Sequence, residues 1–212
     1  MNATLSDDLS ITDESVRTGS APDPFLLFDA WFAAALESEP NDANAMTLAT
    51  VDAEGLPDAR IVLLKGHDAR GFVFYTNLES AKGRALAANP RAALLFHWKT
   101  RRQQVRLRGP ITPVGADEAD AYFASRPHGS QIGAWASDQS RPAADREELK
   151  RRVAEREAEF GDVVPRPPHW SGFRLSPLRI EFWQDGQFRL HDRFAYRRDD
   201  QSAPWQINRL FP

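Results

Sequence analysis

Short, turn-like links leave this chain few ways to fold. Runs of strand character at Ala45 to Val51, Ala59 to Lys65, Phe72 to Thr76, Ala92 to Trp98 and Gln104 to Val114 follow one another. The early ones are joined only by Asp52-Ala53-Glu54-Gly55 and Gly66-His67-Asp68-Ala69-Arg70-Gly71. A parallel crossover needs a dozen residues or more, so strands linked this briefly pair antiparallel. Leu178 to Gln184, Phe188 to Phe194 and Trp205 to Leu210 extend the pattern beyond the proline-rich stretch Pro165 to Pro168. About eight such strands with helices around them predict a mainly β fold, an antiparallel Greek-key type barrel, closed or split, because closure hides strand edges.

The helices are placed by their caps. Asp23-Pro24 opens one whose Phe25, Phe28, Phe32 and Leu36 fall on one side, with Pro40 closing it off. Ser80 caps a short helix that ends before Pro90, Asp117 to Arg126 forms another, and Ala143 to Phe160 a longer surface helix with Leu149, Val153 and Phe160 at helical spacing. Residues 1–22 are polar and acidic and read as a disordered tail, leaving 23–212 as a single domain.

Charge and composition exclude whole classes of function. The net charge is -3, and residues 1–24 carry five acids against Arg17, so the rest of the chain stands at +1. Nucleic-acid binding needs a broad basic field, which this body lacks. No apolar run approaches membrane-spanning length, and the start lacks a signal-peptide pattern, so a cytoplasmic protein is expected. The absence of cysteine removes disulfides, thiolate metal sites and cysteine nucleophiles. There is no GxGxxG after a strand and no Walker-type loop, and none of the five histidines pair at metal-ligand spacing. No metal site is expected.

The remaining motifs suit phosphate. Tyr122 and Arg126 are four apart in a predicted helix and so share a face, while Ser130 opens the next short segment, Gln131 to Trp135, as a capping hydroxyl at an anion-accepting helix start. Lys65 ends an apolar strand at the rim of the barrel with Arg60 at its other end, and Ser80 with Lys82 forms a second helix-start seat. Taken alone, these residues also fit a capping serine, a surface arginine and a solvated lysine. Asp185-Gly186 is the strongest hairpin signal, and Phe188-Arg189-Leu190-His191-Asp192-Arg193-Phe194 reads as the strand after it. Alternation then puts Arg189, His191 and Arg193 on one cationic face, with Phe188, Leu190, Phe194 and Tyr196 mostly toward the core. That face is either solvated exterior or part of a site.

Several strings together carry a resemblance. Arg60-Ile61-Val62-Leu63-Leu64-Lys65, Phe74-Tyr75-Thr76-Asn77, Ser125-Arg126-Pro127 with Ser130-Gln131-Ile132-Gly133-Ala134-Trp135, Ile180-Glu181-Phe182-Trp183 and Arg189-Leu190-His191-Asp192-Arg193-Phe194 resemble, in order, those of the pyridoxine/pyridoxamine 5′-phosphate oxidase family. The resemblance runs from about residue 25 to the C-terminus. It implies an FMN-binding split β-barrel, a homodimer with FMN at the subunit interface, and B6 5′-phosphates and dioxygen as substrates. It also implies that FMN is held by Arg60, Ile61, Val62, Leu63, Leu64, Lys65, Tyr75, Thr76, Lys82, Gln104, Gln139, Ser140, Trp183 and Arg193. The substrate phosphate falls to Lys65, Tyr122, Arg126 and Ser130, while Arg189 and His191, the catalytic pair, lie over the pyridine ring. The implied reaction oxidises C4′ of pyridoxine or pyridoxamine 5′-phosphate to give pyridoxal 5′-phosphate and hydrogen peroxide.

Three departures accompany the resemblance. Ala81 stands where the family commonly has arginine beside the flavin phosphate, Gln103 precedes Gln104 where Arg-Gln is usual, and no tyrosine precedes Tyr75 to pair with Arg17 over the substrate. Two rival readings are a phenazine-type flavin oxidase on the same barrel and a non-catalytic FMN or pyridoxal-phosphate binding protein. The string Ser130 to Trp135 fits a small phosphorylated substrate and argues against the first; the retention of both Arg189 and His191 argues against the second.

Overall fold

The computed structural model of the protein describes residues 11–212. Its strands are β1 (Ala45–Val51), β2 (Pro57–Leu63), β3 (Gly66–Asp68), β4 (Gly71–Asn77), β5 (Arg91–Trp98), β6 (Gln103–Pro113), β7 (Trp170–Leu175), β8 (Arg179–Gln184), β9 (Asp192–Arg197) and β10 (Gln206–Arg209). Every pairing is antiparallel, as the short links require. The main path runs β10-β9-β8-β6-β5-β1-β2, while β7 joins β6 to β4 and β4 joins β3. β6 serves both parts: Gln103 to Arg108 pair with β8, and Ile111 to Pro113 pair with β7. The sheet therefore curls into the expected split barrel.

Two strands escape the sequence reading. β7 has a glycine at its centre and no strict polar–apolar alternation, since its neighbours and the helices bury it from both sides. β3 has three residues and exists only by pairing with β4.

Among the described residues, six α-helices surround the sheet: α1 (Asp13–Thr18), α2 (Pro24–Ser38), α3 (Ala81–Ala88), α4 (Ala116–Ala124), α5 (His128–Ala136) and α6 (Arg146–Phe160). α2 begins as expected, with Asp23 accepting from Phe25 N–H at 2.8 Å and Pro24 in the first turn. Phe28 is fully buried against Phe72, Phe96 and Trp98, with ring centroids 4.8, 5.2 and 6.1 Å away. Burying one such ring stabilises the fold by about 2–3 kcal/mol. Leu36, expected on the same face, is exposed, and Ala35 fills the buried position one residue earlier. α6 buries no residue, in keeping with a surface element.

The expectation of an irregular stretch before residue 23 needs correction. Residues 1–10 lie outside the described residues, but α1 is a capped helix in which Thr12 and Ser15 exchange side chain-to-backbone hydrogen bonds at 3.0 Å. Tertiary contacts hold it: Asp13 pairs with Arg209 of β10, and Pro22 C=O accepts from the Tyr196 hydroxyl at 2.9 Å.

Candidate active site

A cavity of about 450 Å³ opens between β2, β4, α3 and the α4–α5 pair. Its walls carry Ile61, Val62 and Leu63 from β2, Lys65 just beyond it, Tyr75 and Thr76 from β4, Lys82 from α3, Tyr122, Arg126 and Ser130 from the helix pair, and Gln139 from the following loop. Leu64 does not line it; this side chain is packed in the core, 4% exposed.

The phosphate candidates meet, though not by the expected local geometry. α4 stops at Ala124, so Arg126 stands in the link before α5 and not on one helical face with Tyr122. Ser130 is the third residue of α5, whose N-cap is Pro127 without a side-chain cap, so the capping role predicted for Ser130 is wrong. Pro127 ends the first helix and starts the second within three residues, and that sharp turn folds Arg126 back toward Tyr122. Gln131 fastens the turn by donating to the carbonyls of Phe123, Ala124 and Arg126 at 3.0–3.1 Å.

Arg126 lies over Trp170, its guanidinium carbon 4.8 Å from the ring centroid, and its Nη1 is buried with no hydrogen-bond partner among the described residues. Burial holds the guanidinium below its usual range. A buried cation with an unmatched N–H calls for an anion. Tyr75 stacks with Tyr122 at 4.0 Å and with Trp170 at 5.3 Å, and those two rings are 6.1 Å from each other, so the three form one near-parallel cluster. Burial, aided by Glu118, pushes the Tyr75 phenol up to about 12, so it remains a neutral donor through the ordinary pH range.

At the other end of the cavity, Gln139 Oε1 accepts from Lys82 Nζ at 2.8 Å and from Thr76 Oγ1 at 3.4 Å. Ser80 caps α3 as predicted, accepting from Gly83 N–H at 3.2 Å. Burial first, and the charge of Arg60 second, hold the Lys82 ammonium below the usual lysine range. Lys82 and the N-terminus of α3 meet there, and a phosphate would offset both the burial of Lys82 and its repulsion by Arg60, which itself does not line the cavity. The donor set thus fits the FMN that the sequence resemblance implies. Arg60 itself turns to β1, donating to Thr50 Oγ1 at 2.8 Å and Leu48 C=O at 3.2 Å, and pairs with Asp58.

The remaining candidates form a second group. Gln104, Trp183 and Arg193 are register partners across β6, β8 and β9. Their neighbours Val105, Phe182 and Phe194 are buried in the core, so this row faces outward from the sheet. Arg193 donates to Glu181 Oε1 at 2.9 Å and to Phe211 C=O at 2.9 Å. Ser140, with φ at 70°, follows Gln139 and does not line the cavity.

The predicted strand 188–194 is where the sequence reading fails most. β9 starts only at Asp192, and Gln187–Arg189 form a 3-10 turn in which Phe188 and Arg189 have φ of 55° and 68°. Phe188 and Leu190 are 89% and 69% exposed, so they are not core residues. The Asp185-Gly186 signal does mark the β8–β9 hairpin, but the connection is a seven-residue loop, 185–191, and no two-residue turn. Arg189 is exposed on it, while His191 is enclosed at its base.

Trp170, Asp185 and Glu181 were missed as contributors. Trp170 sits on the unrecognised strand β7, and the acids become neighbours of Arg193 and His191 only through sheet register or loop closure. No local spacing marks them.

Residues 32–159 match the family profile described as pyridoxamine 5′-phosphate oxidase, and residues 170–212 the profile described as pyridoxine 5′-phosphate oxidase C-terminal dimerisation region. A relative from Nitrobacter winogradskyi, named pyridoxine/pyridoxamine 5′-phosphate oxidase, is 61% identical over 91% of this chain and 91% of its own. PhzG from Burkholderia lata 383, solved with tetrahydrophenazine-1-carboxylic acid, superposes with a TM-score of 0.86 at 31% identity, covering 97% of this chain and 100% of that one. A pyridoxamine 5′-phosphate oxidase-related, FMN-binding protein from Nostoc punctiforme shares the fold, with a TM-score of 0.73 at 19% identity over 91% of this chain and 100% of its own.

Proposed function

The chain belongs to the pyridoxamine 5′-phosphate oxidase family, and from that premise we propose how its side chains serve an FMN-dependent oxidase that converts pyridoxine or pyridoxamine 5′-phosphate to pyridoxal 5′-phosphate, with dioxygen reduced to hydrogen peroxide. Bound FMN supplies the two-electron oxidation and its return to dioxygen. The observation that carries the assignment of the substrate end is the unmatched Nη1 of Arg126, buried in a cavity with Lys65, Tyr122 and Ser130.

The substrate phosphate sits among those four side chains. Arg126 and Lys65 supply charge, and Tyr122 and Ser130 supply hydroxyls. This remote anchoring positions the reacting carbon, so the phosphate contributes to turnover as well as to affinity. Lys82, Gln139 and Thr76 hold the flavin phosphate end, and Ile61 to Leu63 wall the cavity on the flavin side. Arg189 supplies a guanidinium that stabilises negative charge on the pyridine ring.

The dimerisation-region match supports a homodimer. The finer reading is that the row Gln104, Trp183, Arg193 and the loop bearing Arg189 and His191 meet the partner's cavity, which explains why they face out of the single chain. On this reading residues 23–212 act as one domain, and its partners are a second copy, the vitamers and dioxygen, without nucleic acid or membrane. Among the described residues, no helix is long and apolar enough to cross a membrane. The proposed location is the cytoplasm.

The test is the visible spectrum of the purified protein, followed anaerobically on adding pyridoxamine 5′-phosphate and then on admitting air. A flavin band that bleaches, returns and leaves pyridoxal 5′-phosphate supports the assignment. A band that ignores the vitamer and responds to a reduced phenazine carboxylate would move the function toward that of PhzG.

A further inference from the structure

Glu181 of β8 shares the outward face of the sheet with Trp183, because its neighbours Ile180 and Phe182 are buried in the core. Its side chain is nonetheless only 12% exposed, enclosed between Arg106 of β6 and Arg193 of β9. Oε1 accepts from Arg193 Nε at 2.9 Å and lies 2.8 Å from Nη2, while Oε2 accepts from Arg106. Both carboxylate oxygens are thus engaged. The C-terminal residues hold the same guanidinium from another side. Leu210 N–H donates to Arg193 C=O at 2.9 Å, and the Phe211 carbonyl accepts from Arg193 Nη1, also at 2.9 Å. Asp192 and Phe194, on either side of Arg193, both meet Arg209, the first by an ion pair and the second by a ring 4.6 Å from its guanidinium carbon, so residues 209–211 are tied to β9.

We propose, resting on the reading that Arg193 contacts FMN, that Glu181 is a positioning residue for the flavin site: with the Phe211 carbonyl it sets the Arg193 guanidinium in its binding geometry before FMN arrives. A guanidinium carries five N–H groups in one rigid plane. Nε is engaged by Glu181, Nη1 gives one N–H to Phe211, and Nη2 can turn one toward Glu181, so each Nη keeps an N–H for a ligand. A free arginine side chain loses rotamer freedom when it binds, and this one is already held. Exposed ion pairs contribute little, but this carboxylate is mostly enclosed and both of its oxygens are matched. Charge acts in the opposite direction, because a carboxylate beside Arg193 weakens the field that draws an anionic ligand. The two effects therefore differ in sign when Glu181 is removed. Arg106 keeps Glu181 paired when Arg193 is replaced, so either residue can be removed without leaving a lone enclosed carboxylate.

The experiment dilutes the FMN-loaded protein and follows flavin release by the recovery of its fluorescence, a reading that needs no vitamer. Glu181→Ala is expected to release FMN about tenfold faster, the worth of a charge-assisted hydrogen bond. Glu181→Gln, whose amide oxygen can still accept from Arg193 while the exposed Arg106 turns to solvent, is expected to stay within about threefold of wild type. Arg193→Ala is expected to speed release at least as much as Glu181→Ala, and adding Glu181→Ala to it to speed release by no more than about twofold further, because the carboxylate acts through that guanidinium. Slower release from both Glu181 variants would mean that charge outweighs positioning. A Gln variant as fast as the Ala variant, or an Ala effect undiminished in the Arg193→Ala background, would leave Glu181 a strut of the sheet. Each of these overturns the proposal, as does an Arg193→Ala protein that keeps its flavin as long as wild type. A protein that shows the coupling and yet leaves vitamers unoxidised would sink the proposed function alone.

Discussion

Arg126 is the side chain most exposed to test, because its environment is costly until an anion arrives. Arg126→Ala should lower kcat/KM for pyridoxine 5′-phosphate about 10- to 100-fold, the worth of a charge-assisted hydrogen bond, and leave the slow oxidation of unphosphorylated pyridoxine almost unchanged. Steady-state kinetics on the two substrates decides it; an equal loss on both would remove Arg126 from phosphate binding. Lys82 makes a pH prediction. Its protonated form binds phosphate, and its pKa in the free protein is lowered by burial and then by Arg60, so FMN affinity should start to fall at a pH below the 10.5 of an ordinary lysine. The sign for stability is opposite: across that window the unfolded chain holds more proton at this position, so the apoprotein loses a penalty as pH rises. Fluorescence titration of FMN against pH checks the binding arm, and Lys82→Arg, which stays charged, should flatten it. Sequence alone marked both residues, since their neighbours in the chain carry the motif. It could not mark Trp170 or Asp185, whose partners Arg126 and His191 are brought to them by turns and pairings that the residues themselves do not encode.

Among the elements, β7 does the unforeseen work. Paired with β4 on one side and β6 on the other, it places Trp170 under Arg126 and Gly172 under Tyr75. A Cβ at Gly172 would lie 2.7 Å from the Tyr75 ring, which cannot give way without leaving its stack on Tyr122 and Trp170. Gly172→Ala should therefore cost about 1–3 kcal/mol of stability, the usual penalty for overpacking, and weaken both ligands at once. Chemical denaturation and FMN titration read the two effects; a variant with normal stability and normal flavin affinity would show that the stack is not rigid. The 185–191 loop shows the converse. Its residues have strand character, yet two consecutive non-glycine residues adopt positive φ, a conformation costing roughly 1–3 kcal/mol each that tertiary contacts must offset.

For the whole molecule, the separation of the site into two groups is the main consequence of the barrel. Arg126 lines the cavity and Arg189 does not, so on the proposed reading the working site is completed by the second copy. Impaired Arg126→Ala and Arg189→Ala proteins, mixed and allowed to exchange subunits, should recover about a quarter of wild-type activity above the parents' residual rates, because half of the random dimers carry one intact site of two. Activity no greater than the sum of the parents would place both residues in a site built by one chain.

The strand spacing and brief links made the antiparallel barrel legible before any coordinates, because link length is a local property that forbids parallel pairing. The ordered strings from Arg60 to Phe194 made the phosphate and flavin candidates legible for a similar reason: each motif is contiguous. Convergence is not contiguous. That Lys65, Tyr122, Arg126 and Ser130 share one cavity, that Gln104, Trp183 and Arg193 lie in one row, and that Asp185 backs His191 all depend on pairings between residues far apart in the chain. Those pairings form only when the core excludes water, so they belong to the folded barrel and not to any stretch of its sequence.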